Sequence, residues 1–476
     1  MKKILSFAII ILFFVNTFGQ SDTVEIIILH TNDMHSKIDN FSKFASFVND
    51  YKEKNENVFV FSGGDLFTGN PIVDQHEFKG LPIIDLMNKI PYDISCLGNH
   101  EFDYGQEQLN NLIEIAQFPF ICANINISDQ AILTKKDAYT RIITKDSISI
   151  GVIGLVQTGK NGFPSSNPLN FNGISFNDPI AQLKKLETYK DSSNILIILS
   201  HLGIEKDIQL AEKYNFIDII IGAHSHTKLY SGQFVDEILI TQAGSYMNYA
   251  GVLSLKILNG ELISKSDTMI SLRDYNNSDP EIQDLIESYN NNPKFDQILA
   301  SAEKDITGKD ELGSLITDAM QDTLKTDISF VNNGGLRIHN IPQGSITLKQ
   351  VYELSPFNNS FVIFDLKPRQ LKKLIKYTFK FHNNNELQVN GLTYDLYLND
   401  NKLKKVILKD PKGKKLLNKN YTVAVNDYMA SAYNLKFFKN GIKTDIIDSE
   451  CLTNYLKKMK SVNYKGVKRI NMINLE

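Results

Sequence analysis

Short runs of aliphatic and β-branched residues recur along the first half of the chain, each broken by polar turn residues. "EIIILH", "VFVFSGGD", "ISCLGNH", "ICANI", "ISIGVIGLV", "ILIILSH", "IDIIIGAH", "ILITQAGS" and "AGVLSLKIL" read as strands, and the unbroken apolar ones predict burial. Between several of them lie helix-like stretches such as "NLIEIA" and "PIAQLKKLETYK". Strands alternating with helices predict an α/β domain from Val24 to about Ser271. Where turn residues alone separate two strands, as in "LNGEL", antiparallel hairpins are predicted at the sheet edges. The pattern changes at "RDYNNSDPEIQDLIESYNNNPKF", which is Asn-rich with one helical period, and predicts a linker over 272–300 with a helix capped by Ser278 or Asp279. A second α/β unit follows, with helices in "ELGSLITDAMQDTL" and "RQLKKLIKYTF" and a strand in "DISFVNN".

The first residues follow a different rule. "MKK", then the apolar "ILSFAIIILFFV", then "NTFGQS" predict a secretory signal peptide over 1–19, cut after Gly19. The apolar run is too short to span a bilayer comfortably, and no later segment reaches spanning length. The expected product is an exported protein without a membrane span, periplasmic or secreted, of 20–271, 272–300 and 301–476. A chain of 476 residues suits two domains and a connector. Apolar content of 42% and charged content of 22% describe a folded chain. A net charge of −3 without a long basic run argues against a nucleic-acid polymer as partner. Cys96, Cys122 and Cys451 are few for an exported chain; buried thiols are expected, with Cys96 and Cys122 the pair that could lie close. Monomer and homodimer both remain open.

The strand-like runs share one oddity: several end in a potential ligand. "EIIILHTNDMH" brings Asp33 and His35, "VFVFSGGD" brings Asp65, and "ISCLGNHEFD" brings Asn99, His100 and Asp103. "ILIILSH" ends in His201, and "IDIIIGAHSH" supplies His224 and His226. Each has an ordinary explanation alone. Asp33 could be a turn residue, Asp65 a helix cap, Asn99 and His100 a loop pair, His201 a core histidine. Those explanations are independent, whereas five of the nine His at strand ends have a single common cause. Ligands gather beyond the carboxyl ends of strands in α/β sheets. Carboxylate, imidazole and amide donors without thiolates suit divalent ions such as Zn or Mn. Even seven of these donors are too many for one ion and fit two ions that share a bridge. Such a pair clamps the attacking and leaving oxygens of an in-line displacement at phosphorus.

In order, "D-x-H", "GGD", "GNHEFD", "SH" and "GAHSH" resemble the calcineurin-like dinuclear metallophosphatases. "TNDMH", "GNHEFDYG" and "GAHSHT" narrow the resemblance to the two-domain 5′-nucleotidase family. "ELGSLITDAM", "DISFVNNGGLR", "GSITLKQVYELSPFNN" and "LQVNGLTYDL" are similar to that family's C-terminal domain. The resemblance implies an α/β (α+β) protein: a metallophosphatase β-sandwich flanked by helices, a helical linker and a smaller α/β substrate domain. It assigns one metal to Asp33, His35 and His226 and the other to Asn99, His201 and His224, with Asp65 bridging. His100 would stabilise the transferring phosphoryl group or protonate the leaving group, with Asp103 orienting it. His30 is left to packing. In the second domain Asn332 and Arg337 would hold phosphate or ribose, with Gly335 allowing close backbone approach, and Phe357 and Tyr428 would sandwich the base.

Two departures stand out. The family's Gly-Gly-Asp-Gly turn is replaced by Ala432-Tyr433-Asn434-Leu435, leaving Asn434 as the candidate ribose contact. No Arg occurs between Arg273 and Arg337, so Lys304 and Lys309 are the cations near the "LG" helix. The implied activity is release of phosphate and nucleoside from 5′-ribonucleotides. Hydrolysis of UDP-sugars or 2′,3′-cyclic nucleotides on the same metals is the alternative. A secreted nucleotide-binding protein without turnover is the alternative of another class.

Overall fold

In the strand Val24–Thr31, Ile26 and Ile28 enter one buried cluster while Ile27 and Leu29 enter another. Successive side chains leave a strand on opposite faces, so a strand apolar at every position must be covered on both. That logic sets the architecture of the first domain in the computed structural model, which describes residues 23–134 and 137–475. The signal-peptide segment 1–19 lies outside the described residues.

Two six-stranded sheets pack face to face. The first runs Glu261–Ser271, Tyr249–Leu258, Val24–Thr31, Val58–Ser62, Ile94–Cys96, Phe120–Ile121 in spatial order. The second runs Gln233–Val235, Ile238–Thr241, Ile219–Gly222, Ile195–His201, Ser149–Val156, Tyr139–Ile143. Ile26, Ile28 and Phe61 of one meet Ile197, Leu199 and Ile221 of the other between them. Helices Phe41–Lys52 and Leu81–Lys89 cover the first sheet's outer face, and helix Ile204–Lys213 covers the second's. The central strands of both sheets are parallel, with antiparallel hairpins at their edges, including Tyr249–Leu258 with Glu261–Ser271 around "LNGEL". Parallel strands deliver their C-terminal loops to one rim.

Helix Pro280–Asn290 starts at Asp279, whose carboxylate accepts from Ile282 N–H at 3.1 Å; Ser278 is not the cap. Ile282, Ile286 and Phe295 bury into the first domain's outer cluster. Beyond it, a five-stranded sheet is ordered Leu387–Asn390, Ile328–Asn332, Tyr421–Asn426, Ser360–Leu366, Ile442–Ile447. Helices Gly308–Leu324 and Asp448–Met459 contribute to the cluster on one face. On the other face helix Pro368–His382 and a three-stranded sheet close a second cluster around Tyr394 and Leu374. The result is a mixed α/β, two-domain fold. All three cysteines are buried and free. No helix among the described residues is long and apolar enough to cross a membrane.

Candidate metal centre

The strand-end loops are held in unusual backbone. Asp33, His35, Asp65, His224 and His226 all have φ between 48° and 72°, the left-handed region that residues with a Cβ rarely adopt. Such strain persists only where the surroundings fix it, and it clusters at functional sites. Glu101 does part of the fixing. Its buried carboxylate accepts the N–H groups of Asp65 (3.1 Å), Leu66 (2.7 Å) and Gly98 (2.5 Å), locking two strand-end loops together. Gly98 is required where these loops meet, since a Cβ there would lie 2.3 Å from Asp65 Oδ1.

Three overlapping groups of donors result: Asp33, His35, His226; His35, Asp65, His100; and Asp65, His201, His224, with the donor atoms in each within 4.8 Å of one another. Asp65 Oδ2 sits centrally, 3.1 Å from His201 Nε2, 3.9 Å from His35 Nε2 and 4.0 Å from His100 Nε2. Two imidazole nitrogens, His35 Nε2 and His226 Nε2, face each other at 3.0 Å, and His226 Nε2 lies 3.5 Å from Asp33 Oδ1. The far ring nitrogens point at backbone carbonyls: His35 Nδ1 at Thr68 (3.2 Å) and His201 Nδ1 at Gly63 (2.8 Å). That is how histidine ligands are oriented, with Nδ1–H donating and the Nε2 lone pair turned inward.

The donor set fits divalent cations on the structure's own terms. Asn99 donates its amide to the Ser165 carbonyl at 3.2 Å, which leaves Oδ1 buried with no hydrogen-bond partner. His201 Nε2, near Asp65 but out of hydrogen-bonding alignment, is also buried without one. Orphaned buried acceptors cost about 1–3 kcal/mol each unless something fills them, and a divalent cation would. Electrostatics agree. Burial, then the neighbouring His201, push His224 down to about 4, keeping it neutral as a ligand must be. Burial and His100 likewise hold His35 well below the ordinary histidine value. Burial opposes the charge on Asp65, yet His201 and His100 hold its carboxyl well below the carboxylate range. Against the same burial, the Asp65 carboxylate raises His201 to about 10. The His/Asp clusters thus form a candidate dinuclear metal site.

His100 is set apart. Its Nδ1 lies 2.5 Å from Asp103 Oδ2, its N–H donates to Asp65 Oδ1 at 2.8 Å, and Ser166 Oγ donates to Asp103 Oδ1 at 2.6 Å. Burial would lower its proton affinity, but Asp103 and Asp65 outweigh that and raise it. On its cavity side the ring stacks on Phe357 of the second domain, centroids 5.8 Å apart and planes at 19°.

A cavity of about 670 Å³ opens between the domains here. His35, Asp65, Asn99, His100, Asp103, His224 and His226 line one side; Asn332, Gly335, Arg337, Phe357 and Tyr428 line the other. Asp33 and His201 lie fully buried behind that wall.

Residues 26–228 match the calcineurin-like phosphoesterase family, and residues 292–439 match the 5′-nucleotidase C-terminal domain. The chain belongs to the 5′-nucleotidase family. It is 28% identical to human 5′-nucleotidase over 444 residues, covering 78% of this chain and 76% of that protein. It is 24% identical to the trifunctional nucleotide phosphoesterase of Bacillus subtilis over 91% of this chain, but spans only 34% of that relative's length. Its fold superposes on a 5′-nucleotidase precursor from Thermus thermophilus with a TM-score of 0.81, at 24% identity, covering 95% of this chain and all of that one. This chain is a metallophosphoesterase of the 5′-nucleotidase family.

Within this family member, Asn434 stands outside the cavity lining: its side chain is exposed and its N–H donates to Tyr377 Oη at 3.2 Å. Lys304 is exposed, and Lys309 bonds the Leu336 carbonyl, so Arg337 and Lys79 are the cations among the described lining residues. Arg337 lies 5.7 Å over the Phe357 ring. His30 pairs with buried Asp267 at 3.0 Å, beneath Gly251, where a Cβ would overlap the ring. Glu101, Ser166 and Asn167 were not among the residues the sequence singled out. Only Glu101, inside "GNHEFD", carried a signal that could have pointed to it.

Proposed function

We propose that this chain is an exported metal-dependent phosphoesterase that hydrolyses 5′-ribonucleotides to nucleoside and phosphate. The observation that carries this reading is one cavity with orphaned metal-type donors on one wall and Phe357, Tyr428 and Arg337 on the opposite wall. Asp33, His35 and His226 would hold one divalent ion, such as Zn or Mn, and Asn99, His201 and His224 the second, with Asp65 reaching both. When bound, two such ions supply a polarised phosphoryl group and a water of lowered pKa. The chain's own residues do the rest. Phe357 and Tyr428 grip the base by its faces, each stack contributing about 1–3 kcal/mol. Arg337 and Asn332 hold phosphate or ribose. His100, protonated and fixed through Nδ1 by Asp103, presents Nε2–H to a phosphoryl or leaving-group oxygen. Ser166 keeps Asp103 in place.

Export rests on the first nineteen residues and agrees with a chain whose thiols are all buried. The relatives' names favour nucleotides, and "trifunctional" for the Bacillus subtilis relative shows how wide the range can be. With Asn434 turned away from the cavity, a second reading keeps UDP-sugars and 2′,3′-cyclic nucleotides as substrates. The deciding experiment assays AMP, UDP-glucose and 2′,3′-cAMP in parallel on metal-reconstituted protein. AMP should be turned over fastest; if it is the poorest of the three, the 5′-nucleotidase reading fails.

A further inference from the structure

Charge is distributed very unevenly. Between Lys367 and Lys419 fourteen Lys and Arg stand against four Asp and Glu, a net +10 inside a chain of −3, so the remainder carries −13. The fold gathers these cations. Helix Pro368–His382 buries Leu371, Leu374, Ile375 and Phe379, while Arg369, Lys373, Lys376 and Lys380 are exposed. Their spacing of four, three and four residues forms one stripe along the helix. The helix packs on the edge strand Lys402–Lys409, where Lys402, Lys404 and Lys405 are exposed. The following turn folds back through a bridge between Lys409 and Lys415 and exposes Lys412, Lys414 and Lys415.

Little on this surface neutralises it. Lys409 pairs with Asp395 at 2.5 Å, and among the described residues no other cation of the stretch has a salt bridge. Asp410 is engaged by the N–H groups of Lys412 and Lys414, and Glu386 is half-buried, so Asp400 is the one exposed acid of the stretch. A cluster this dense repels itself, and an anionic surface relieves that repulsion.

We propose that this face docks the protein on an anionic lipid bilayer. The surface is made of a helix's outer side, an edge strand and a turn, and contributes no residue to the interdomain cavity. Leu417, 70% exposed, sits in the turn between Lys415 and Lys419. An apolar side chain among lysines suits entry into a headgroup layer. A single-stranded nucleic acid would instead need free aromatic faces. Here Lys160 Nζ sits over the Phe381 ring at 4.2 Å and Lys405 Nζ lies over the Tyr397 ring at 5.7 Å, so a cation already takes one face of each.

The test is co-sedimentation of the full chain with vesicles. Phosphatidylcholine vesicles containing about one-third phosphatidylglycerol should retain it at low salt, and pure phosphatidylcholine should not. Each lysine near such a surface contributes about fivefold in partition. The triple variant Arg369→Gln, Lys373→Gln, Lys376→Gln should therefore bind about a hundredfold more weakly, with an unchanged thermal melt to show it is folded. Equal retention by both vesicle types, or undiminished binding by the folded triple variant, overturns the proposal. So does tighter capture by duplex DNA than by vesicles.

Discussion

Asp448 ties down the loop that carries Phe357, and its burial makes a measurable prediction. Its carboxylate accepts from Ser355 Oγ at 2.7 Å and Asn359 Nδ2 at 3.4 Å, and its N–H donates to the Asn359 carbonyl at 2.9 Å. Loss of solvent raises its pKa from 3.8 to about 7, more than the hydrogen bonds from Ser355 and Ser449 can reverse. The folded protein thus holds a proton that the unfolded chain has released, between about pH 4 and pH 7. The stabilisation is full below about pH 4, is lost as pH rises through about 7, and is constant above. A rise from 3.8 to about 7, at about 1.4 kcal/mol per tenfold change in proton affinity, sets an upper bound of about 4 kcal/mol. Asp448→Asn has the same shape and cannot ionise. Its stability relative to wild type should therefore improve by up to about 4 kcal/mol between about pH 4 and pH 7, then level off. Urea unfolding followed by circular dichroism measures this at each pH. Other buried acids, such as Asp207 with its pKa pushed up to about 8, titrate in both proteins and cancel in the difference. A difference that does not change across the window would refute the reasoning.

Asp65→Ala should abolish metal binding and turnover together, because its carboxylate lies among the donors of both sides of the site; elemental analysis beside an activity assay checks it. His100→Ala should retain its metal but lose about 10²–10⁴-fold in kcat, the range of a general acid. Metal content and kcat measured on one preparation separate these effects. Tyr428→Ala should raise KM for AMP by about fivefold to a hundredfold, one stack's worth, and leave KM for p-nitrophenyl phosphate nearly unchanged. Gly98→Ala should lower metal affinity, because the added Cβ collides with Asp65 Oδ1; isothermal titration with Mn²⁺ reads it directly.

The metal-site candidates were legible because polar donors directly after buried strands are conspicuous, and parallel strands bring such ends to one rim. The folded chain brings these donors together. The second domain was harder to read. Phe357 and Tyr428 reach the cavity, but Asn434, inferred from a turn this chain has rewritten, does not. Tyr433 explains why: it packs against Tyr377 and Tyr428, centroids 5.5 Å and 6.3 Å away, and the next residue faces outward. Ser166 and Asn167 belong to an aperiodic loop whose purpose shows only when Ser166 meets Asp103 and Asn167 meets Ser431 across the domains, at 3.3 Å.

The basic face was hidden by the same periodicity that reveals secondary structure. A helix shows solvent about every third or fourth residue, and a strand shows it every second. The cations on Pro368–His382 and Lys402–Lys409 are therefore interleaved with Leu374, Phe379, Val406 and Leu408, which fill the core. No contiguous basic run forms, and the chain's overall −3 averages the remainder away. Folding sorts the two sets onto opposite sides. The apolar residues hold helix to sheet, and that contact sets their charged neighbours side by side. Replacing Leu374 would thus disturb the charged surface through the core, whereas Lys373→Gln removes a charge and leaves the packing intact. That difference is why the membrane test uses the outward positions alone.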